Sequence, residues 1–172
     1  ILKAARTGDF DLLKLMIDHG ADPDAGSHDF GTPLMFVLGL DRLYDDRTSP
    51  ARSFNELVDR NVKLLINAGA DVNARGPENL TPLMIAIQRF PYNIEPLIQA
   101  GANVNLMSKY VWGPLMAANP KITRRLIEAG ADVHLQNKDG RTALFLGTRP
   151  AKAESLTNAG ADPTEREPSG VA

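Results

Sequence analysis

The sequence predicts an all-α fold built from a repeated helix-turn-helix element, with an extended loop after each repeat. The triplet Gly-Ala-Asp recurs, with one Gly-Ala-Asn copy, starting at Gly20, Gly69, Gly101, Gly130 and Gly160. The triplet Thr-Pro-Leu recurs, with two altered copies, starting at Thr32, Thr81, Gly113 and Thr142. The second triplet starts 12 residues after the first wherever both occur. Self-similarity at a fixed spacing is the signature of a repeat protein.

Each triplet has its own conformational reason. A Thr side chain at a helix N-cap accepts a hydrogen bond from an unpaired amide, and Pro suits the first helical position. Gly allows the left-handed conformation that ends a helix, and the Asp or Asn two residues later can bond its own backbone. We therefore expect a helix after each Thr, a helix before each Gly, and a loop between Gly and Thr. These loops, here called fingers 1 to 4, span residues 20–32, 69–81, 101–113 and 130–142.

Apolar residues at helical spacing precede each of these glycines and predict amphipathic second helices. In the first repeat Asp9 is the expected N-cap. The apolar stripe that follows it comprises Phe10, Leu12, Leu13, Met16 and Ile17. A single repeat cannot bury such a stripe, whereas stacked repeats share a continuous core. We interpret the stripes as core.

The two triplets and their spacing resemble the ankyrin repeat, whose pattern is Thr-Pro-Leu-His at the first helix and Gly-Ala-Asp-Val-Asn after the second. The resemblance covers nearly the whole chain. It implies a single ankyrin-repeat domain over residues 1–172, a solenoid of one partial N-terminal repeat and four fuller ones. The expected repeats span approximately 1–27, 28–77, 78–108, 109–137 and 138–165, with a polar tail at 166–172. The family His is replaced by Met35, Met84, Met116 and Phe145. We expect the Met side chains to pack in the core, since Met fills irregular gaps.

Repeat two carries about 20 additional residues, an insertion that we place at 40–60. Ser53 and Glu56 fit the capping-box pattern, which predicts a helix from there to about Ala68. A loop near 45–50 would join it to the preceding helix. The insertion is either a loop on a binding face or a tolerated surface addition, since longer loops add closure entropy slowly.

Repeats four and five are short. Pro120 leaves barely more than one turn for the first helix of repeat four, and Gly113 replaces the Thr cap. Pro150 similarly opens a short second helix in repeat five. We expect this C-terminal pair to be the least stable part of the chain.

The composition gives little indication of catalysis, metal binding or nucleic-acid binding. A net charge of -2 gives no electrostatic footprint for nucleic acid or an anionic membrane, and no cysteine supplies a nucleophile or thiolate ligand. The three histidines, His19, His28 and His134, lie in separate parts of the sequence, and each has a local structural role. We expect no enzyme activity, cofactor or metal. No apolar run reaches the roughly 18 residues of a membrane span. We expect a soluble monomer, with a cytoplasmic compartment slightly favoured over a secreted or periplasmic one.

The resemblance implies that another protein binds at the finger tips and at the concave face formed by first helices. Tyr110 and Trp112 on finger 3, beside Lys109, have the character of an interface anchor, because large aromatics give much contact area for little entropy. The candidate binding residues are His28, Phe30, Gln88, Arg89, Lys109, Tyr110, Trp112, Lys138 and Arg141. The alternative for the finger 3 aromatics is packing against neighbouring structure.

Three functional hypotheses follow. The first is a non-catalytic protein-interaction scaffold. The second is the regulatory or targeting ankyrin region of a larger chain, whether or not that chain is an enzyme. The third is a small-molecule-binding solenoid, which would require a concave apolar pocket with convergent polar groups.

Overall fold

The computed structural model describes residues 1–39, 52–109, 112–146 and 149–163, and the regular secondary structure of these residues is helical. The described α-helices are α1 Leu2–Thr7, α2 Phe10–Asp18, α3 Pro33–Val37, α4 Arg52–Asn67, α5 Pro82–Arg89, α6 Ile94–Gln99, α7 Pro114–Ala117, α8 Pro120–Glu128, α9 Ala143–Leu146 and α10 Pro150–Asn158. Two 3₁₀ turns lie at Pro77–Asn79 and Pro91–Asn93. The described residues form no β-strand beyond an isolated bridge between Ser27 and Gly31. The predicted all-α character is compatible with these helices.

The chain divides into two compact units, an N-terminal unit of residues 1–102 and a C-terminal unit of residues 103–172. In the N-terminal unit α1 packs on α3, α2 on α4, and α4 on α6. In the C-terminal unit α7 packs on α9 and α8 on α10. Within each unit, first helices therefore pack on first helices and second helices on second helices, as neighbouring repeats require if they are to share a core.

The five glycines that were predicted to end the second helices all have positive φ, between 82° and 97°. At Gly20 the amide donates to the Ile17 carbonyl oxygen at 2.9 Å, and at Gly130 the amide donates to Ile127 at 2.9 Å. A Cβ at any of the five would meet no atom within 4 Å. The requirement for Gly is therefore conformational, since an L side chain is strained at positive φ.

The residue two positions after each Gly fixes the turn with its own side chain, as predicted. Asp22 accepts from the amide of Asp24 at 2.9 Å, and Asp71 accepts from the amide of Asn73 at 2.8 Å. Asn103 and Asp132 repeat the contact, each at 2.9 Å. The fingers therefore all begin with the same hydrogen-bonded turn.

Among the side-chain caps predicted at Asp9, Thr32, Thr81 and Thr142, all but one are confirmed. Asp9 accepts from the Leu12 amide at 3.0 Å, Thr81 from Met84 at 3.3 Å, and Thr142 from Phe145 at 3.4 Å. The cap predicted at Thr32 is wrong. Its Oγ1 is buried without a hydrogen-bond partner and does not reach the amide of Met35.

The Met positions are core, as predicted, with exposed fractions of 0% for Met35, 4% for Met84 and 5% for Met116. Phe145, at the corresponding position of repeat five, is instead half exposed. The predicted stripe of α2 is also narrower than expected. Leu13 is fully buried, whereas Leu12 lies on the solvent side of α2 and is exposed.

The helix predicted inside the insertion is confirmed, since α4 spans Arg52–Asn67. The capping role predicted for the Ser53 side chain lies outside the described side chains and stays a prediction. The predicted loop near 45–50 and the predicted tail at 166–172 lie outside the described residues. In repeat four, α7 has the single turn that Pro120 predicts. The second helix after Pro150 has nine residues, as many as α8, and is not short.

Side chains four positions after the helix-ending Gly join successive repeats to one another. Asn105 accepts from the amide of Asp132 at 2.9 Å and donates to the carbonyl of Gly130 at 3.3 Å. Asn73 donates likewise to Gly101 at 3.0 Å. We call these contacts the amide ladder. In the first repeat the position is Asp24, whose two oxygens accept from the amide of Asp71 at 3.0 and 2.9 Å.

A carboxylate at position 24 lacks the donor that Asn105 uses on the carbonyl of Gly130. Burial raises the pKa of Asp24, the hydrogen bond from the amide of Asp71 opposes this rise, and the charges of Asp71 and Asp22 add to it. A carboxyl whose pKa rises on folding binds its proton more tightly in the folded state. Its ionisation therefore weakens the fold, and this penalty grows as the pH rises through the folded pKa.

Replacement of Asp24→Asn is expected to raise the free energy of unfolding by about 0.5–1 kcal/mol, the value of one added hydrogen bond. This gain in the free energy of unfolding should be smallest at a pH below 3.8, the ordinary pKa of Asp, and larger at neutral pH. The reason is that only the ionised Asp carries the penalty. Urea unfolding at several pH values measures it. The matched reverse variant, Asn105→Asp, should lose stability. A gain that is largest at acid pH would contradict the argument.

Thr32 and Thr81 form a second matched pair. Thr32→Val removes a buried hydroxyl that has no partner, so we expect unfolding free energy to be unchanged or higher. Thr81→Val removes a hydrogen-bonded cap and should cost about 1 kcal/mol. Equal losses for the two variants in urea denaturation would show that Thr32 is capping its helix after all.

Native-state hydrogen exchange should distinguish the two units. The first helices of the C-terminal unit, α7 and α9, have four residues each, whereas α5 in the N-terminal unit has eight. Short helices hold few internal hydrogen bonds and open at lower free energy. We expect amides of α8 and α10 to exchange faster than those of α4 and α5. Uniform protection along the chain would contradict this.

Candidate interaction surface

The tip of finger 1 is closed by its own backbone. Gly31 donates to the Ser27 carbonyl at 2.6 Å, and the Phe30 amide donates to Ser27 Oγ at 3.2 Å. A Cβ at Gly26 would lie 2.1 Å from the Gly31 carbonyl oxygen, so only Gly permits this closure. The closed tip holds Phe30 outward with 71% of its surface exposed. An aromatic ring that is exposed on a hydrogen-bonded loop is a preorganised apolar contact.

His28 lies beside Phe30 and connects finger 1 to finger 2. Its Nε2 lies 2.9 Å from the Asn79 Oδ1, and its Nδ1 lies 3.8 Å from the carboxylate of Asp29. Asn79 and its neighbour Glu78 both have positive φ, 57° and 56°, although neither is Gly. The tip of finger 2 is thus held in a strained conformation that the contact with His28 helps to maintain.

Finger 3 is also closed at a serine, but its backbone hydrogen bond runs in the opposite direction to that of finger 1. The amide of Ser108 donates to the carbonyl of Trp112 at 3.1 Å, and the amide of Trp112 donates to Ser108 Oγ at 3.2 Å. Trp112 is 49% exposed, and Lys109 is exposed. Tyr110, predicted as the companion anchor, lies outside the described residues.

Finger 4 turns on Asn137, whose Oδ1 accepts from the amides of Asp139 and Arg141, each at 2.9 Å. Lys138 is exposed at the tip. Arg141 is half buried, and its guanidinium lies 5.4 Å from the centre of the Phe145 ring. This cation–π contact combines a predicted binding residue with the exposed aromatic of α9.

The remaining candidates, Gln88 and Arg89, lie in the last turn of α5. Gln88 is exposed and Arg89 is half buried. The candidates therefore fall into three groups. His28 and Phe30 lie on finger 1, and Gln88 and Arg89 lie at the end of α5. The basic and aromatic residues of fingers 3 and 4 lie in the C-terminal unit.

Sequence reasoning missed two exposed aromatics. Tyr92, in the 3₁₀ turn between α5 and α6, has 79% of its surface exposed, and Phe145 has 50%. The neighbours Phe90 and Asn93 are both buried, which leaves Tyr92 on the outside of a tight turn. The sequence did contain an indication for Phe145, because the corresponding position in the other repeats is Met.

A basic cavity in the C-terminal unit was also not predicted. It has a volume of about 240 Å³ and is lined by Met116, Ala117, Ala118, Asn119, Pro120, Leu146, Arg149 and Lys152. Lys152 is only 5% exposed, and its Nζ donates to the Met116 carbonyl at 2.8 Å. Burial lowers the pKa of this amine. Arg149 is exposed at the rim.

Within the described residues, no group of three or more His, Asp or Glu side chains is arranged to hold a metal ion. His19 contacts the carbonyl of Leu15 at 2.8 Å at the end of α2, and the amide of His134 donates to Asp132. Among the described helices, none combines the length and the apolar character that a membrane crossing requires.

No family model matches the chain. The chain is similar to a protein of fowlpox virus (strain NVSL) that is described as an ankyrin repeat protein. The two are 34% identical over 100 residues, which cover 49% of this chain and 13% of the viral protein. The chain therefore spans a small part of that relative's length. Over about half of its own length it is similar to an ankyrin repeat protein.

Proposed function

We propose that this chain is a non-catalytic ankyrin-repeat solenoid of one partial and four fuller repeats, and that it binds another protein. The binding surface comprises the finger tips and the face formed by first helices. The recurrent Gly turn, the amide ladder and the similarity to a viral ankyrin repeat protein support this proposal. The function follows from surface chemistry rather than from the fold, because one fold serves many functions.

The observation that carries the proposal is the exposure of Phe30 and Trp112 on closed finger tips. The backbone amide of each residue donates to a serine hydroxyl of its own finger, so little backbone entropy remains to be lost on binding. Aromatic side chains of this kind dominate the energetics of protein interfaces. Lys109 and Lys138 lie exposed on fingers 3 and 4, which favours a partner with acidic groups around an apolar pocket.

Affinity capture from an extract of the producing cell tests the proposal. Phe30→Glu and Trp112→Glu each place a charge where an apolar contact is expected, and each should reduce capture of a specific protein at least about tenfold, as loss of an interface anchor does. Tyr92→Glu is the matched control, because Tyr92 is an exposed aromatic outside the fingers. Circular dichroism verifies that all three variants are folded.

Capture that survives both finger variants but is lost with Tyr92→Glu would move the interface to the turn between α5 and α6. Capture that no variant changes would remove the aromatic finger tips from the binding surface. Either result contradicts the assignment of the finger tips, and the failure of the native chain to capture any protein contradicts the proposal as a whole.

A further inference from the structure

The basic cavity combines a buried cation with a helix start that has no side-chain cap. Lys152 lies in the first turn of α10. The N-cap residue of this helix, Arg149, makes no capping hydrogen bond with its side chain. A guanidinium has no acceptor with which to cap a helix. The first turn of α8, at Asn119 and Pro120, lines the same cavity. Two nine-residue helices therefore begin at its wall. Asn119 caps α8, whereas the N-terminus of α10 has no side-chain cap and favours negative charge.

The burial of Lys152 has a structural cause. Met116 is in α7, and the residue four positions later, which would donate to its carbonyl in a longer helix, is Pro120. Pro has no amide hydrogen, so the carbonyl needs another donor, and the Lys152 Nζ supplies it at 2.8 Å. This contact uses one of the three N–H groups of the ammonium and neutralises no charge.

The positive charge of the cavity has no counter-charge in the described part of the chain. No described carboxylate forms an ion pair with Lys152 or Arg149. The described residues that line the cavity include these two cations and no Asp or Glu. A buried charge is expensive unless it is paired, so an anion that enters this cavity would be bound by unused donors at little additional desolvation cost.

We propose that this cavity is a binding site for a small oxyanion, a carboxylate or a phosphate group. Lys152 contacts the anion from the floor and Arg149 from the rim, where its fork of donors matches either group. The volume of about 240 Å³ admits a phosphate or a short carboxylic acid with several waters, since a water occupies about 30 Å³. The site is separate from the fingers and does not depend on the proposed protein-binding function.

The test is NMR titration of the full chain with inorganic phosphate and, separately, with acetate, with chloride used to hold the ionic strength constant. We expect saturable amide shifts confined to residues 116–119 and 149–153. Binding of phosphate alone assigns the site to phosphate groups, and binding of acetate as well extends it to carboxylates. An anion at Lys152 should also raise the pKa of its amine, which NMR detection of the side chain measures.

Lys152→Met keeps an unbranched side chain one atom shorter and removes the charge, and it should weaken binding about tenfold or more, the loss expected for a charged hydrogen bond. Arg149→Gln removes the rim cation at an exposed position, so it remains a fair test even if Lys152→Met unfolds. Lys138→Met, on finger 4, is the control and should bind as the native chain does. The proposal is overturned if neither anion gives saturable shifts, or if the control loses binding as Lys152→Met does.

Discussion

The turn that ends each second helix is the constraint on which the other features depend. A Gly at positive φ reverses the chain, and the side chain two residues later closes the turn on its own backbone. The side chain at the fourth position is then presented to the next repeat, where Asn105 satisfies both the amide of Asp132 and the carbonyl of Gly130. Because polar backbone groups at this position are paired across repeats, each finger leaves its helices in a fixed direction. Phe30 and Trp112 are the exposed aromatic residues at the tips of fingers 1 and 3.

Much of the local structure was predictable because it is determined within a few residues. The positive φ of Gly20, the cap at Asp9 and the single turn of α7 before Pro120 each depend on the chemistry of one or two neighbours. The failures involve tertiary packing. Thr32 and Thr81 have the same local sequence, Thr-Pro-Leu-Met, yet only Thr81 caps its helix. The side-chain hydroxyl of Thr can point toward its own helix or toward the interior. Its tertiary surroundings determine which, and the local sequence does not show those surroundings.

The candidate surface was predictable to the extent that a finger position implies exposure. Phe30, Trp112 and Lys138 are exposed, whereas Arg141 is half buried and contacts the ring of Phe145. The long side chain of Arg can lie on an apolar surface while its charge remains near water, so a basic residue at a tip is not necessarily free to bind. The buried position of Lys152 is harder still to predict, because it depends on a carbonyl that lies 36 residues earlier in the chain.

The basic cavity is a consequence of short first helices. In α5 the last turn and the residue after it place Ile87 and Phe90 in the core, each 5% exposed. The first helix of repeat four stops at Ala117, so it lacks the turn of helix that carries Ile87 in α5. The first helix of repeat four cannot be extended to restore this apolar packing, because Pro120 begins the second helix, α8. The long, flexible side chain of Lys152 in α10 reaches the Met116 carbonyl instead and is buried beside the cavity. A buried cation without a counter-charge among the described residues is costly, and this cost is the physical basis of the proposed anion site.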